Sequence, residues 1–272
     1  MAEPADLMAP LSARSVALSL LLGARPPRLS ARDLTCLGEM FEISAPTMRV
    51  ALSRMVASGD LVPADSMYAL PARHLERQAA TESLIHPRRR PYDGMWRMAV
   101  VVDRGRSLAR RTSLRSLMRR HRFAELREGV WMRPDNIEQL LTPSPHEGAG
   151  TESATALSEA RTFRTVPDND RRLSRELWDL DQWAADARVL LDALRDDGPS
   201  KARPVDRLTA AAAAVRHLCT DPALPEELAP ERWPADELRW AYEDYRNELS
   251  AICMAGTAVP RAQPAADASK GM

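Results

Sequence analysis

Residues 30–70, SARDLTCLGEMFEISAPTMRVALSRMVASGDLVPADSMYAL, constrain this chain more than any other stretch. Ser30 is placed to cap a helix, and Asp33 suits the positive end of its dipole. Leu34, Leu37 and Phe41 recur at helical spacing and predict one buried stripe. Glu42-Ile43-Ser44 fits a tight turn. Ser44 caps a second helix, and Pro46 sits in its first turn, where a missing N–H costs little. Gly59 follows as a left-handed terminator. Leu61-Val62 and Met67–Leu70, split by Pro63-Ala64-Asp65-Ser66, predict a hairpin. Helix, turn, helix and hairpin in this order specify a winged helix-turn-helix, whose second helix enters the DNA major groove.

That second helix divides into two faces. Met48, Ala51, Leu52 and Met55 point inward. Arg49, Val50, Ser53 and Arg54 point outward, with Thr47 near the N-terminal end and Ser66 in the wing. Arginine pairs bidentately with guanine, Ser and Thr bond bases or phosphates, and valine meets a thymine methyl. These six residues are the candidate DNA contacts. The bland alternative is an ordinary solvated face on an amphipathic helix.

The 272 residues carry 38 basic and 38 acidic side chains. Zero net charge hides an asymmetry. Residues 1–78 balance at 8 and 8, residues 79–135 carry 14 and 6, and residues 136–272 carry 16 and 24. The basic charge is nearly all arginine. A basic middle either extends a DNA-binding surface or pairs with the acidic C-terminal half. The three cysteines, Cys36, Cys219 and Cys253, form no CxxC pair, which argues against a zinc ribbon and suits the cytoplasm. MAEPADLMAP lacks a secretory pattern, and Ser15–Leu22 is far shorter than the ~20 residues needed to span a bilayer.

Further along, Trp96–Val102 predicts a buried strand, ended by Asp103. Ser107–His121 predicts a basic amphipathic helix with Leu108, Leu114, Leu117 and Met118 on one face. Two short strands flank Gly129 within Phe123–Met132. Pro134–Leu141 suggests a brief helix, 142–152 a loop, and Thr155–Phe163 a last strand. This is the ferredoxin-like order. Leu173–Leu194 predicts one long helix with Leu177, Leu180, Trp183 and Leu190 as core. Val205–Cys219 and Pro234–Cys253 predict two more, before a small, polar tail. The fold class is therefore α+β. Its expected domains are a winged helix with a connecting helix (1–83), a ferredoxin-like domain (84–167), a helical C-terminal domain (168–254) and a disordered tail (255–272).

Five segments together resemble the PaaX-type transcriptional regulators, named for the repressor of bacterial phenylacetic acid catabolism. They are SAPTMRVALSRMVASGDLV, YDGMWRMAVVV, EGVWMRP, ELWDLDQW and DPALPEELAPERWP. The resemblance runs from about residue 12 to 253. Tyr92 stands where the family usually has the tryptophan of W-D-G. The resemblance implies a homodimeric repressor of a catabolic operon, released from its DNA operator by a small acidic effector such as an acyl- or aryl-coenzyme A. It places Thr47, Arg49, Val50, Ser53 and Arg54 on the recognition helix and implies no enzyme activity, no cofactor and no metal. It fixes no effector contacts. Trp178, Trp183, Trp233 and Trp240 are candidates for an aromatic pocket or plain core.

The rival reading is a metal-dependent nuclease. The middle segment also resembles the ferredoxin-like nucleases of CRISPR systems, in which an aspartate ending the first strand binds a divalent metal; Asp103 is the matching residue. As a plain turn residue, Asp103 needs no such role. A scaffold protein without DNA binding is a third reading. The five histidines show no metal-ligand spacing, and neither G-x-S-x-G nor a phosphate-cradling glycine loop occurs.

Overall fold

The computed structural model describes residues 7–102, 107–138, 160–195 and 202–257. The chain divides into two units. One holds Pro71–Tyr245 with the N-terminal residues up to Leu11; the other holds Ser12–Leu70 with the chain from Arg246 onward.

In the second unit, α1 (Ala13–Gly23), β1 (Arg28–Ser30), α2 (Ala31–Met40), α3 (Ala45–Ala57), β2 (Val62–Ala64) and β3 (Met67–Ala69) form a three-helix core beside a sheet of order β1-β3-β2. Val16, Leu20, Leu21, Leu34, Leu37, Phe41, Met48, Leu52, Met55 and Leu61 are all buried there. Removal of that apolar surface from water holds the unit together. The C-terminal end of α9 (Ala235–Thr257) packs on α1 at Gly23, where a Cβ would lie 3.3 Å from Leu249 Cγ. Two elements were not expected from sequence: α1, seen only as an apolar stretch, and β1, whose three residues follow two prolines. β1 exists through partnership, pairing antiparallel with β3 at Arg28↔Ala69 and Ser30↔Met67.

In the first unit, α4 (Ala72–Ile85) leads to β4 (Trp96–Val101), α5 (Leu108–Arg120), β5 (Ala124–Arg127), β6 (Val130–Pro134) and β7 (Ala160–Thr165). The antiparallel sheet has the order β5-β6-β4-β7, the ferredoxin-like arrangement. Gly129 turns between β5 and β6 at φ 78°, a conformation that favours glycine. One sheet face carries Ala99 and Trp131 and buries Leu114, Leu117 and Met118 of α5 together with Phe123. The other carries Trp96 and Met132 and is covered by Leu180, Leu224 and Leu228.

The helical segment contains α6 (Asp170–Leu177), α7 (Leu180–Leu194), α8 (Pro204–Leu218) and the start of α9. The single helix expected over Leu173–Leu194 is two helices. Trp178 is extended (φ −133°, ψ 139°), and the Asp179 side chain accepts from Gln182 N to begin α7. Asp179 serves a cap better than a helix interior, so it wins over the continuous apolar pattern. The brief helix expected over Pro134–Leu141 is also revised. Pro134 ends β6, and Ile137 bridges to Arg89; residues 139–141 lie outside the described residues, as does the expected loop at 142–152.

The tryptophans divide. Trp183 is sandwiched between Trp233 and His217, with ring centroids 4.5 and 4.3 Å away. Trp178 lies 6.3 Å from Trp96. These are core contacts, whereas Trp240 is 65% exposed. Tyr92, the departure from W-D-G, uses its hydroxyl. It accepts from Trp96 Nε1 (2.9 Å) and donates to Asp170 Oδ2 (3.1 Å). Burial above all, with the Asp170 carboxylate, pushes its phenol up to about 12.

Candidate nucleic-acid interface

The helix-turn-helix is fixed by local chemistry. Ser30 and Asp33 close a reciprocal capping box: Asp33 N donates to Ser30 Oγ (3.1 Å) and Ser30 N to Asp33 Oδ2 (3.3 Å). In the turn, Gly38 O accepts from both Phe41 N and Ile43 N at 3.0 Å, and Glu42 adopts φ 60°. Gly38 also lets the two helices approach, since a Cβ there would sit 2.7 Å from Met48 Cε. Ser44 caps α3 by accepting from Thr47 N (3.4 Å), with Pro46 in the first turn. At the far end Asp60 N and Leu61 N both donate to Met55 O, and Gly59 is left-handed at φ 73°.

Met48, Leu52 and Met55 are fully buried, and Ala51 is half-buried. Thr47, Arg49, Val50, Ser53 and Arg54 are all exposed, with Val50 at 50%. Thr47, Val50 and Arg54 share one flank by helical spacing, and Arg49 and Ser53 share the next. The Thr47 hydroxyl lies 2.8 Å from Ser44 Oγ, so part of its capacity is spent on the cap. The wing is tighter than the expected four-residue turn. Pro63 and Ala64 belong to β2, and only Asp65 (φ 49°) and Ser66 (φ 64°) turn, as in a type I′ hairpin. Pro63 is tolerated because β2 is an edge strand. Ser66 is exposed at the tip.

Sequence reasoning missed the contribution of α1. Arg14 donates to Asp60 Oδ2 from Nη2 (2.9 Å) and Nε (3.1 Å), and Ser58 Oγ donates to the same oxygen (3.0 Å). A concavity of about 750 Å³ lies beside α3, lined by Arg14, Thr47, Val50, Arg54 and Ser58 among others. The signal was a basic residue just inside a Ser-capped helix, with no local acid to mark its partner.

The basic middle segment proves to be of two kinds. Arg97 on β4 stands opposite Arg133 on β6 and Arg164 on β7, three guanidinium groups in one cross-strand row. Asp135, its carboxylate wholly buried, gathers two of them and Arg90: Arg97 Nε lies at 2.6 Å, Arg164 Nε at 3.0 Å, and Arg90 also pairs with it, while Arg133 lies over the Phe123 ring. Other members of the stretch reach the acidic C-terminal part within the Pro71–Tyr245 unit, through Arg89–Asp236 (3.4 Å) and His86–Glu243 (3.0 Å). The arginines of α5 stay on its outside. Asp103 lies outside the described residues; among those described, no group of three or more His, Cys, Asp or Glu side chains is placed to hold a metal ion. No described helix is long and apolar enough to cross a membrane.

Comparison with known proteins covers the same ground. Three family models match in succession: "PaaX-like protein" over residues 12–74, "PaaX protein central Cas2-like domain" over 89–172, and "PaaX-like protein C-terminal domain" over 178–255. One similar solved structure is the uncharacterized protein Rv0674 from Mycobacterium tuberculosis. It is 39% identical, with a TM-score of 0.78, over 90% of this chain and 99% of that one. No curated protein matches the chain.

Proposed function

The chain belongs to the PaaX-like family, and on that premise we propose that it is a sequence-specific, DNA-binding transcriptional regulator acting through α3 and the β2–β3 wing. The observation that carries this reading is the division of α3. On its inner face Met48, Leu52 and Met55 are buried, while Arg49, Val50, Ser53 and Arg54 stand exposed on a helix anchored at both ends. An exposed arginine pair beside small polar and β-branched residues is suited to base edges and phosphates. Thr47 adds a phosphate contact at the N-terminus, and Ser66 one from the wing.

Within this reading residues 1–83 bind DNA, 84–167 form the ferredoxin-like domain and 168–254 the helical domain, and the protein works in the cytoplasm as a homodimer. One winged helix buries a modest surface on DNA, so specific affinity calls for two half-sites about one helical turn apart. The regulator is a repressor of a catabolic operon, released by an acyl- or aryl-coenzyme A effector. Family membership motivates the effector class; arginine is the side chain best suited to its phosphates. Linkage requires that operator DNA weaken effector binding by the same factor.

Titration of a panel of acyl-coenzyme A thioesters into the protein–operator complex, followed by sedimentation, tests this reading. A dimer on a two-half-site duplex that dissociates with one thioester supports it. A monomer with and without DNA removes the dimer, and no response to any thioester removes the effector class.

A further inference from the structure

We propose that Arg14 of α1 is a contact for the DNA backbone beside α3, held in place by Asp60 and gripping a phosphate without reading bases. The proposal rests on the DNA-binding reading above and extends its surface from α3 to α1. Arg14 lies in the first turn of α1. The concavity beside α3 brings it to the same surface as Thr47, Val50 and Arg54, with Ala13, Pro46 and Ala51 as apolar lining.

The pairing with Asp60 leaves Arg14 able to take a second anion. Nε and Nη2 both donate to Asp60 Oδ2, at 3.1 and 2.9 Å, which uses the side-on edge of the guanidinium. The group carries five donors in a planar fork. Its end-on edge, Nη1 with the second hydrogen of Nη2, therefore serves for bidentate contact with a phosphate. Asp60 is itself fixed: its N–H donates to Met55 O (2.7 Å) at the end of α3, and Ser58 Oγ donates to its carboxylate (3.0 Å). The carboxylate thus ties Arg14 to α3 and lowers the entropy lost when a partner orders it. Asp135 differs, being wholly buried among Arg90, Arg97 and Arg164, whereas the Arg14 side chain is 50% exposed. The position fits as well. The major groove is about 12 Å wide and a helix with its side chains about 10–12 Å across, so a helix that fills the groove has its flanks against the two strands. Thr47, Val50 and Arg54 form the flank that lines the concavity, so the strand on that side runs past Arg14. Its deoxyribose carbons meet the apolar lining and its phosphate the guanidinium. Backbone contacts of this kind set affinity and salt dependence, leaving base preference unchanged.

The test uses the full-length protein and the duplex that it enriches from a random pool, with affinity measured across a salt series. In Arg14→Gln the slope of log K against log salt should become shallower by about 0.9, and affinity should fall roughly tenfold. The enriched motif should be that of the parent. Asp60→Asn breaks the same charge pair, yet it keeps a side-chain oxygen for Arg14 and removes a negative charge beside the phosphate. It should bind at least as tightly as the parent, with a slope no shallower. Both variants lose the pair, so any cost of that loss to folding is common to the two and cancels in the comparison. A parent-like slope in Arg14→Gln, or equal weakening in the two variants, overturns the proposal and makes Arg14–Asp60 a brace between α1 and α3. A motif altered at one position in Arg14→Gln also overturns it, by making Arg14 a base reader. A parent that enriches no duplex overturns the DNA-binding reading itself, whereas the other two outcomes overturn only the role of Arg14.

Discussion

The sheet end around Asp135 and the outer face of α3 both present arginine, and they use it in opposite ways. At the sheet end three arginines face one another across β4, β6 and β7, an arrangement of like charges that disfavours pairing. The buried Asp135 carboxylate reverses the sign for two of them, Arg97 and Arg164, and with Arg90 they form a clasp. On α3, Arg49 and Arg54 project from a helix whose other face is sealed into a core. The difference lies in the counter-charge. Where the fold supplies a buried acid the arginine is structural, and where it supplies none the counter-charge must come from a partner.

The largest effect that tests this contrast is at Asp135. Asp135→Ala leaves Arg90, Arg97 and Arg164 crowded without an anion, and should cost about 3 kcal/mol or more in urea unfolding. A change under about 0.5 kcal/mol, the range of an ordinary surface site, would place the clasp with the surface ion pairs. Its pH dependence has a definite sign. Burial pushes the Asp135 carboxyl up, and Arg97 and Arg90 more than offset it, so its net position is below the ordinary value. The stability it confers is present above the unfolded carboxyl range and is lost as pH falls through the depressed folded value.

His121 acts in the same direction at higher pH. Burial first, then Arg133 and Arg120, depress it from 6.5 to about 4, so it is neutral in the fold. The unfolded chain takes up its proton first on acidification. Stability should fall between about pH 6.5 and 4 by up to about 3 kcal/mol. His121→Gln should flatten that interval; an unaltered profile would locate the acid sensitivity elsewhere.

Effects at α3 should appear in binding instead. Arg49→Ala and Arg54→Ala should each weaken operator binding by about 1–3 kcal/mol, with unfolding changed by less than about 0.5 kcal/mol. Relaxed preference at one base position identifies guanine contact, and uniform weakening with a salt slope reduced by about one identifies phosphate contact. The smallest effect is on the inner side of the same motif. Gly38→Ala gains about 1 kcal/mol of helix propensity but pushes on the buried Met48 end, so a net loss of about 1 kcal/mol in thermal unfolding is expected. A stabilised variant would show that the α2–α3 contact has slack.

What could be read from sequence follows from the range of the causes. Ser30, Asp33, Ser44, Pro46 and Gly59 act on their own helix ends, so α2, the turn and α3 were legible. Gly129 likewise announced the β5–β6 turn. The break at Trp178-Asp179 has a local signal, the Asp179 cap, that lies inside a longer apolar periodicity and is masked by it. β1 and α1 depend on partners far along the chain, β3 and the end of α9, which no window of sequence reveals. The Asp135 clasp needs three strands brought into register before its arginines meet. Charge counting therefore gave a basic segment without telling the pinned arginines from the outward ones.

The most direct test of the central claim, that the outward residues of α3 read DNA, is selection of random duplexes with the full-length parent and with Arg49→Ala and Arg54→Ala. The account predicts enrichment of one motif by the parent, with preference lost or affinity lowered in each variant. Enrichment of no motif by the parent, or an identical motif bound equally tightly by all three proteins, would contradict it.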